Sequence, residues 1–329
     1  MSVAPASTAA PVVPDLSVII VSWNVRELLA ACLDSCLRPR PAEAPPLGIE
    51  VIVVDSASSD GTAPFIAEHY PQVTLIAEDH NIGFTAGNNI GLRRARGRYV
   101  LLLNPDTLVI GDALGLLVAY LNAHPTIGAA GPQTRNPDGS IQSTRRRFPT
   151  VATGIFESTW LQRFAPRGLL AHYYASDIAD DACAEVDWVQ GSALLVRRSI
   201  YEQIGGLDET FIMFSEEMDW CKRIRAAGWG VAYIGTAQIV HYGGQSTEQA
   251  TTRKHILFQQ SKLHYFGKHH GPAAAALLRL VLLLGYTQQS LMESVKAAVG
   301  YKRAMRAERR QRVVTYRQVI AALLGRGGQ

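Results

Sequence analysis

The chain has 329 residues, 47% of them hydrophobic and 18% charged, with a formal net charge of +4. That apolar share excludes a wholly disordered chain and supports one large domain or two ordinary ones. The mild basicity does not indicate a nucleic-acid partner, and Cys32, Cys36, Cys183 and Cys221, with no CxxC pair, suit neither a disulfide scaffold nor a zinc site.

Residues 1–14 carry no positive charge and no apolar run, so they read as a disordered tail of a cytoplasmic protein rather than as a secretory leader. Leu16–Val21 is a continuous apolar, β-branched run, as in a strand buried on both faces. Asn24 is expected to cap the next helix, with Glu27 completing a capping box. Leu28, Leu29, Cys32, Leu33 and Cys36 form that helix's apolar stripe. After a proline-rich loop, Glu50–Asp55 is the second strand, and Thr62 opens a short helix with Pro64 in its first turn. Val73–Ala77 is a third strand, Phe84 to about Arg96 a helix and Tyr99–Leu103 a fourth strand. Asp112–Ala123 is another helix and Ile127–Gly131 a fifth strand. Repeated βα units of this length imply a Rossmann-like, mostly parallel sheet with helices on both faces. Ligands bind such sheets at the carboxyl ends of strands, where Ser22–Asn24, Asp55–Asp60 and Asn104–Asp106 fall.

Past Gly131 the pattern loosens through prolines, glycines and the triplet Arg145-Arg146-Arg147. Val186–Val196 is apolar again, Glu216–Ala227 reads as a helix stopped by Gly228, and Val231–Ile234 as a strand. Helices are expected from Thr251 onward. Ala273–Leu284 is apolar but shorter than the roughly 20 residues of a membrane span, and Arg279 interrupts it. Leu291, Val295, Ala298 and Met305 share roughly one helical face, and Lys296–Arg312 holds seven Lys/Arg against the single acid Glu308. An interfacial helix on an anionic membrane and a helical cap packed on the preceding domain both fit this pattern.

Four constellations carry chemistry. Asp55, followed by small residues up to Asp60-Gly61-Thr62, can accept hydrogen bonds from a base or ribose, and also suits an ordinary polar turn. Asp106, in Asn104-Pro105-Asp106, is a single acid at a strand end that could hold Mg²⁺ or Mn²⁺ beside a diphosphate. The glycines and asparagines of Asn81–Asn89 could meet a nucleotide or sugar at a helix start. Glu216-Glu217-Met218-Asp219 opens a helix beside an apolar run, a setting for a general base or merely for helix-dipole partners. His241 follows a predicted strand in a glycine-rich stretch.

In this order the segments SVIIVSWN, VVDSASSDGT, NIGFTAGNNIG, YVLLLNPD, VDWVQGSALLVRR, GGLDETF, FSEEMDWCKR and HYGGQS resemble the family 2, GT-A type glycosyltransferases, especially their bacterial rhamnosyltransferase-like branch. The resemblance spans about two thirds of the chain. It implies a GT-A domain over 15–250, with a nucleotide-binding half (15–132) and an acceptor-binding half (133–250), followed by a basic helical region over 251–329. It implies inverting transfer from a nucleotide-diphosphate sugar, dTDP-rhamnose or a UDP-sugar, to a hydroxyl of a cell-surface polysaccharide or lipid-linked glycan. Asp55 resembles the nucleotide-binding acid, surrounded by Val21, Trp23, Asn24, Ser56, Ser58, Asp60, Gly83, Phe84, Gly87, Asn88 and Asn104 as further donor contacts. Asp106 matches the metal-binding acid and His241 a later contact to metal or diphosphate. Trp188, Gly191 and Asp219 fall at the sugar and acceptor site. Glu217 stands where the family's catalytic Asp is usual, and Ser56 where Asn is common. Neighbours on a helix point about 100° apart, so only one of Glu216 and Glu217 is expected to face the acceptor, with Glu216 a supporting contact. A sugar-nucleotide nucleotidyltransferase would want a basic glycine-rich loop after the first strand, and a dinucleotide oxidoreductase a GxGxxG there; Ser22-Trp23-Asn24 is neither. A nucleotide-sugar-binding protein without activity is the remaining alternative.

Overall fold

The computed structural model describes residues 13–157, 159–243 and 251–325, apart from the side chains of 251 and 303. The first twelve residues of the expected tail, and residues 244–246 of the HYGGQS stretch, lie outside the described residues.

The chain runs β1 (Leu16–Ser22), α1 (Arg26–Leu37), β2 (Ile49–Asp55), α2 (Thr62–His69), β3 (Thr74–Ala77), α3 (Phe84–Arg94) and β4 (Tyr99–Leu103). It continues through β5 (Thr107–Ile110), α4 (Ala113–Ala123), β6 (Ile127–Arg135), β7 (Ile141–Gln142), β8 (Arg145–Arg146), α5 (Val151–Phe156) and α6 (Leu169–Tyr173). Then come β9 (Cys183–Val186), β10 (Trp188–Val189), β11 (Ala193–Arg197), α7 (Arg198–Ile204), α8 (Glu216–Ala226) and β12 (Gly230–His241). Three helices follow: α9 (Thr251–His270), α10 (Pro272–Ala298) and α11 (Arg306–Leu323).

The main sheet has the order β3-β2-β1-β4-β11-β6-β12-β5. Its first half is parallel, and β11 runs antiparallel to both β4 and β6. Alternate residues of the buried strands feed two cores. Val18 and Ile20 pack with α1, α2 and α4 on one face, and Ile19 and Val21 with α3 and α8 on the other. Gly87 and Gly91 let α3 lie directly on β1: a Cβ at Gly87 would stand 2.8 Å from Val21, and one at Gly91 2.3 Å from Ile19.

Strand β6 runs on past Gly131 to Arg135. Thr107–Ile110 is a β-branched strand where no element was expected, and β12 continues past Ile234 to His241 through a register shift. The two pair antiparallel, with Thr107 opposite His241. The Asn24 cap is also corrected. Asn24 sits at φ 53°, α1 begins at Arg26, and its first N–H goes to Asp60 Oδ2 (3.0 Å) from the loop after β2. Glu27 pairs with the Arg26 side chain instead.

The C-terminal helices share the core on one face of the sheet: Leu263, Phe266, Leu278, Leu282, Val319 and Leu323 belong to the cluster that contains Trp220 and Val189. Polar contacts reinforce the join. Asp219, fully buried on α8, meets Arg223 (2.9 Å), Lys268 (2.7 Å) and His269 (2.7 Å), the last two from α9. Burial pushes its carboxyl upward, and these three partners outweigh that and hold it below its ordinary value. Asp219→Asn leaves three basic groups without their common anion. It should lower stability by about 2–4 kcal/mol, reduced from a fully buried pair because Lys268 and Arg223 keep some solvent, read by chemical denaturation at pH 7.

Candidate active site

A cavity of about 640 Å³ opens at the carboxyl ends of β1, β2 and β4 and extends between α8 and α9. One wall contains Val21, Trp23, Ser56, Gly83 and Phe84. Behind them the polar residues lock one another. Asp55 accepts from Ser58 Oγ (2.6 Å) and Ser58 N (3.0 Å), Asn24 N donates to Ser58 Oγ (2.9 Å), and Asn24 Oδ1 accepts from Ser59 N (2.7 Å). Asp60 takes the N–H of Arg26 and both N and Oγ1 of Thr62, which hold its carboxyl below its ordinary value despite burial. Asp55, Asn24, Ser58 and Asp60 therefore form the frame of the loop, and Ser56 is the member on the cavity surface.

Asn104, Pro105 and Asp106 line the cavity floor with His241. The β5–β12 pairing puts Asp106 Oδ1 3.3 Å from His241 Nε2. His241 Nδ1 lies 2.7 Å from Gln142 Oε1, which can only accept, so Nδ1 is the donor of that pair and Nε2 faces Asp106. Asn104 Oδ1 is buried without a hydrogen-bond partner among the described residues, and its Nδ2 lies 3.3 Å from His241 Nε2. A carboxylate, an imidazole and an amide oxygen suit a small divalent ion that keeps positions for diphosphate and water. Among the described residues no cluster of three His, Cys, Asp or Glu exists, so the protein supplies only part of such a coordination shell.

The opposite wall begins at α8. Phe214 and Ser215 both adopt left-handed backbone (φ 70° and 66°), a costly conformation for non-glycine residues, and turn the chain so that the helix end abuts the cavity. Glu216 and Glu217 both line it. Both therefore stand where the sequence reading put them, Glu216 as part of the wall beside Glu217. Glu217 Oε2 and Glu216 Oε2 are buried and without partners among the described residues. Gly191 clears the space for Glu217; a Cβ there would sit 3.4 Å from Glu217 Cγ. Burial raises the Glu217 carboxyl above the ordinary range, although backbone N–H groups, Gly191's included, and the Arg146 charge oppose this. Burial and the neighbouring Glu217 charge raise Glu216 further.

Several expected contacts stand elsewhere. Trp188 is buried outside the cavity, packs near Tyr173 and donates Nε1 to Arg147 O (3.1 Å). Gly87 and Asn88 lie inside α3, and Asn88 donates to Phe84 O. Asp219 turns away from the cavity to the basic groups of α9. Conversely, Gln142, Arg146, Gln190, Arg253 and Lys254 line the cavity without having been expected. Only the arginine triplet offered a signal, and its members diverge: Arg145 pairs with Asp180 (2.8 Å), Arg147 with Asp177 (2.6 Å), and Arg146 turns to the cavity.

Residues 17–205 match the family model described as glycosyl transferase family 2. The chain belongs to this glycosyltransferase family. It is 28% identical over 245 residues to an N-acetylglucosaminyl-diphospho-decaprenol L-rhamnosyltransferase of Mycobacterium tuberculosis, covering 71% of this chain and 80% of that one. It is 26% identical over 185 residues to the rhamnosyltransferase WbbL of Escherichia coli, covering 54% of this chain and 67% of that protein. Among solved structures it resembles a mannosyltransferase from Pyrobaculum calidifontis in complex with GDP-Man and Mn²⁺, at 20% identity and a TM-score of 0.54, over 95% of this chain and 87% of that one. The mixed sheet with its flanking and C-terminal helices is the GT-A fold, and the protein is a family 2 glycosyltransferase with rhamnosyltransferase relatives.

An acid whose folded-state pKa is raised favours the fold while protonated, and that advantage disappears as pH climbs through the interval between its unfolded and folded values. Glu216 is such an acid. Glu216→Gln should therefore raise Tm at pH 7 to 8 relative to the parent, and the gain should shrink toward pH 4, as read by differential scanning fluorimetry across that range.

Proposed function

We propose that this glycosyltransferase is inverting and metal-dependent, and moves rhamnose from dTDP-rhamnose, or another sugar from a UDP-sugar, to a hydroxyl of a lipid-linked glycan. The observation that carries the reading is one cavity bounded by Asp106 and His241 on one side and by the unpartnered carboxylate oxygen of Glu217 on the other. A single displacement with inversion needs a base on the acceptor face and charge neutralisation on the leaving-group face, and this cavity has both kinds of residue. Both the mycobacterial and the Escherichia coli relative are named for rhamnose transfer, which favours that sugar, and the mycobacterial one's name favours a diphospho-prenol acceptor.

The residue chemistry follows. A sugar hydroxyl is a weak nucleophile near neutral pH, so its proton must leave as the new bond forms. Glu217 Oε2 has no partner among the described residues, and a carboxyl whose pKa is raised by burial is a stronger base than an ordinary glutamate. Burial and the Glu217 charge disfavour a second negative charge on Glu216 beside it. Asp106 and His241, with Asn104, would hold Mg²⁺ or Mn²⁺, which stabilises the charge developing on a departing diphosphate. Val21, Trp23, Ser56, Gly83 and Phe84 would bound the nucleotide and its sugar.

The test pairs donor binding with transfer. Purified protein should gain thermal stability from dTDP-rhamnose or a UDP-sugar with Mn²⁺ or Mg²⁺. Asp106→Asn should lose the metal-dependent part of that gain. Glu217→Gln should still bind donor and lose transfer by roughly 10²–10⁴-fold, with a smaller loss for Glu216→Gln. Full transfer by Glu217→Gln would refute the assignment of the base.

The same reading assigns the protein to the cytoplasmic face of a membrane. Helix α10 spans 27 residues and is long and apolar enough to cross a bilayer, yet Leu278, Leu282, Gly285 and Glu293 are buried against the rest of the chain. Its outer face exposes Leu277, Leu280, Leu284, Leu291, Val295 and Val299, and Lys302, Arg306 and Arg310 beyond it are exposed. One packed face and one apolar face beside basic residues favour a helix lying in the interface, with about 1 kcal/mol from each Lys or Arg near anionic lipid. The protein should float with phosphatidylglycerol vesicles at low salt. Leu284→Glu with Leu291→Glu should release it without lowering Tm, because both side chains face outward. Flotation by that variant equal to the parent's would remove this face as the anchor.

A further inference from the structure

Arg146 is a buried cation in need of an anion. Only 7% of it is exposed, and its guanidinium lies over the rings of Tyr174 (4.6 Å) and Tyr173 (5.8 Å). Nη1 donates to Ser143 Oγ (3.0 Å) and Arg145 O (2.8 Å). Among the described residues no carboxylate forms an ion pair with it. Glu157 acts on it through space, but that carboxylate bonds Lys262 Nζ (3.5 Å) and Tyr174 Oη (3.3 Å). Buried arginines are normally matched by a carboxylate or a phosphate, because an unmatched charge out of water is costly.

Its position says where the matching charge belongs. Arg146 and Tyr174 line the same cavity as Glu217, and the Arg146 charge is felt by the Glu217 carboxyl. Arg253 and Lys254 line that cavity from α9. So do Ile212, Met213, Phe214 and Leu257, an apolar group at the rim, with Ile212 51% exposed. Basic and apolar residues that line one cavity with Glu217 suit an amphiphile whose anionic group sits next to the reacting sugar. We infer that Arg146, supported by Arg253 and Lys254, binds the diphosphate that joins the acceptor sugar to its lipid, and that the lipid leaves the cavity over Ile212, Met213, Phe214 and Leu257. This rests on the proposed role of Glu217 in marking the acceptor side. Arg146 presents a planar donor fork, which suits a phosphate better than lysine's single ammonium does.

Two acceptors with one sugar separate this subsite from a structural role. One is N-acetylglucosamine on a short prenyl diphosphate, and the other is octyl N-acetylglucosaminide, which has no phosphate. The parent enzyme should prefer the first in kcat/KM. Arg146→Gln should reduce that preference by about 10- to 100-fold, the size of a lost charge-assisted contact, and Arg146→Lys by less. If Arg146 only tunes Glu217, both acceptors lose alike, the preference stays and the pH profile moves; that outcome overturns the inference. The parent protein gives a test independent of how the variants fold. Farnesyl diphosphate should compete with the acceptor, and farnesol at equal concentration should not. Equal inhibition by the two, or competition of farnesyl diphosphate with the donor instead, would also overturn it, the second by assigning the anion site to the leaving group. Donor binding with Mn²⁺, measured separately, reports on the broader proposal: its loss in the parent would indict the transferase reading, whereas normal donor binding with no diphosphate preference would indict Arg146 alone.

Discussion

The site depends on one short antiparallel pairing. Thr107–Ile110 lies against Gln238–His241, and 137 residues of chain separate Asn104 from the histidine it meets. A strand register is discrete, and a slip of one residue would turn every side chain to the opposite face. Here the register sets Thr107 opposite His241, and Tyr242 N is tied to Asp106 O at 2.9 Å. Gln142, from the adjoining β7, then fixes the imidazole. Asp106 and His241 are thus held 3.3 Å apart by backbone ladders rather than by side-chain adjustment.

Across the cavity the logic is different. Glu216 and Glu217 sit in a conformation the isolated sequence disfavours, after two left-handed residues and with oxygens that lack partners. Each of these features costs stability, and each matches what a proton acceptor needs: burial, a raised pKa and an unoccupied oxygen. The expense is tolerated because the surroundings overdetermine it. Ser261 Oγ donates to Met213 O (2.7 Å), Phe258 packs edge-on to Phe214, and Thr85 Oγ1 donates to Ile212 O (3.3 Å).

Much of this was legible in the sequence, for identifiable reasons. Long buried strands such as Leu16–Ser22 announce themselves by unbroken apolar content, and the polar clusters at their ends followed from the topology. Strand β5 was missed because four residues between a turn-forming tripeptide and a helix carry too little periodicity. Asn24 was misread as a cap because the N–H it would satisfy is taken by Asp60, 34 residues away, a partner no local pattern can reveal. The arginine triplet failed for a related reason. Three identical neighbours look like one basic patch, whereas strand geometry sends Arg145 and Arg147 to Asp180 and Asp177 and leaves Arg146 inside. Trp188 and Asp219 matched motif positions yet point into the core, so motif spacing identified the right segment and not the right face.

The least diagnostic part of the sequence, the stretch after residue 250, turns out to bear on the chemistry. Helix α9 touches the segment from Asp208 to Asp219 repeatedly: Lys268 bonds Asp208 (2.6 Å), Thr210 Oγ1 lies 2.8 Å from His264 Nε2, Ser261 meets Met213, and Lys268 with His269 meets Asp219. These contacts bracket Phe214 and Ser215, the strained residues that aim the two glutamates. The same helix supplies Arg253, Lys254 and Leu257 to the cavity and packs against α10, whose opposite face is apolar and exposed. One element therefore braces the turn before α8, lines the cavity and packs against the helix whose outer face is apolar and exposed. A deletion that removed the C-terminal helices as dispensable would take away the brace on Phe214 and Ser215 together with that face. The folded unit is better drawn through α11 than at the end of the family's matched segment.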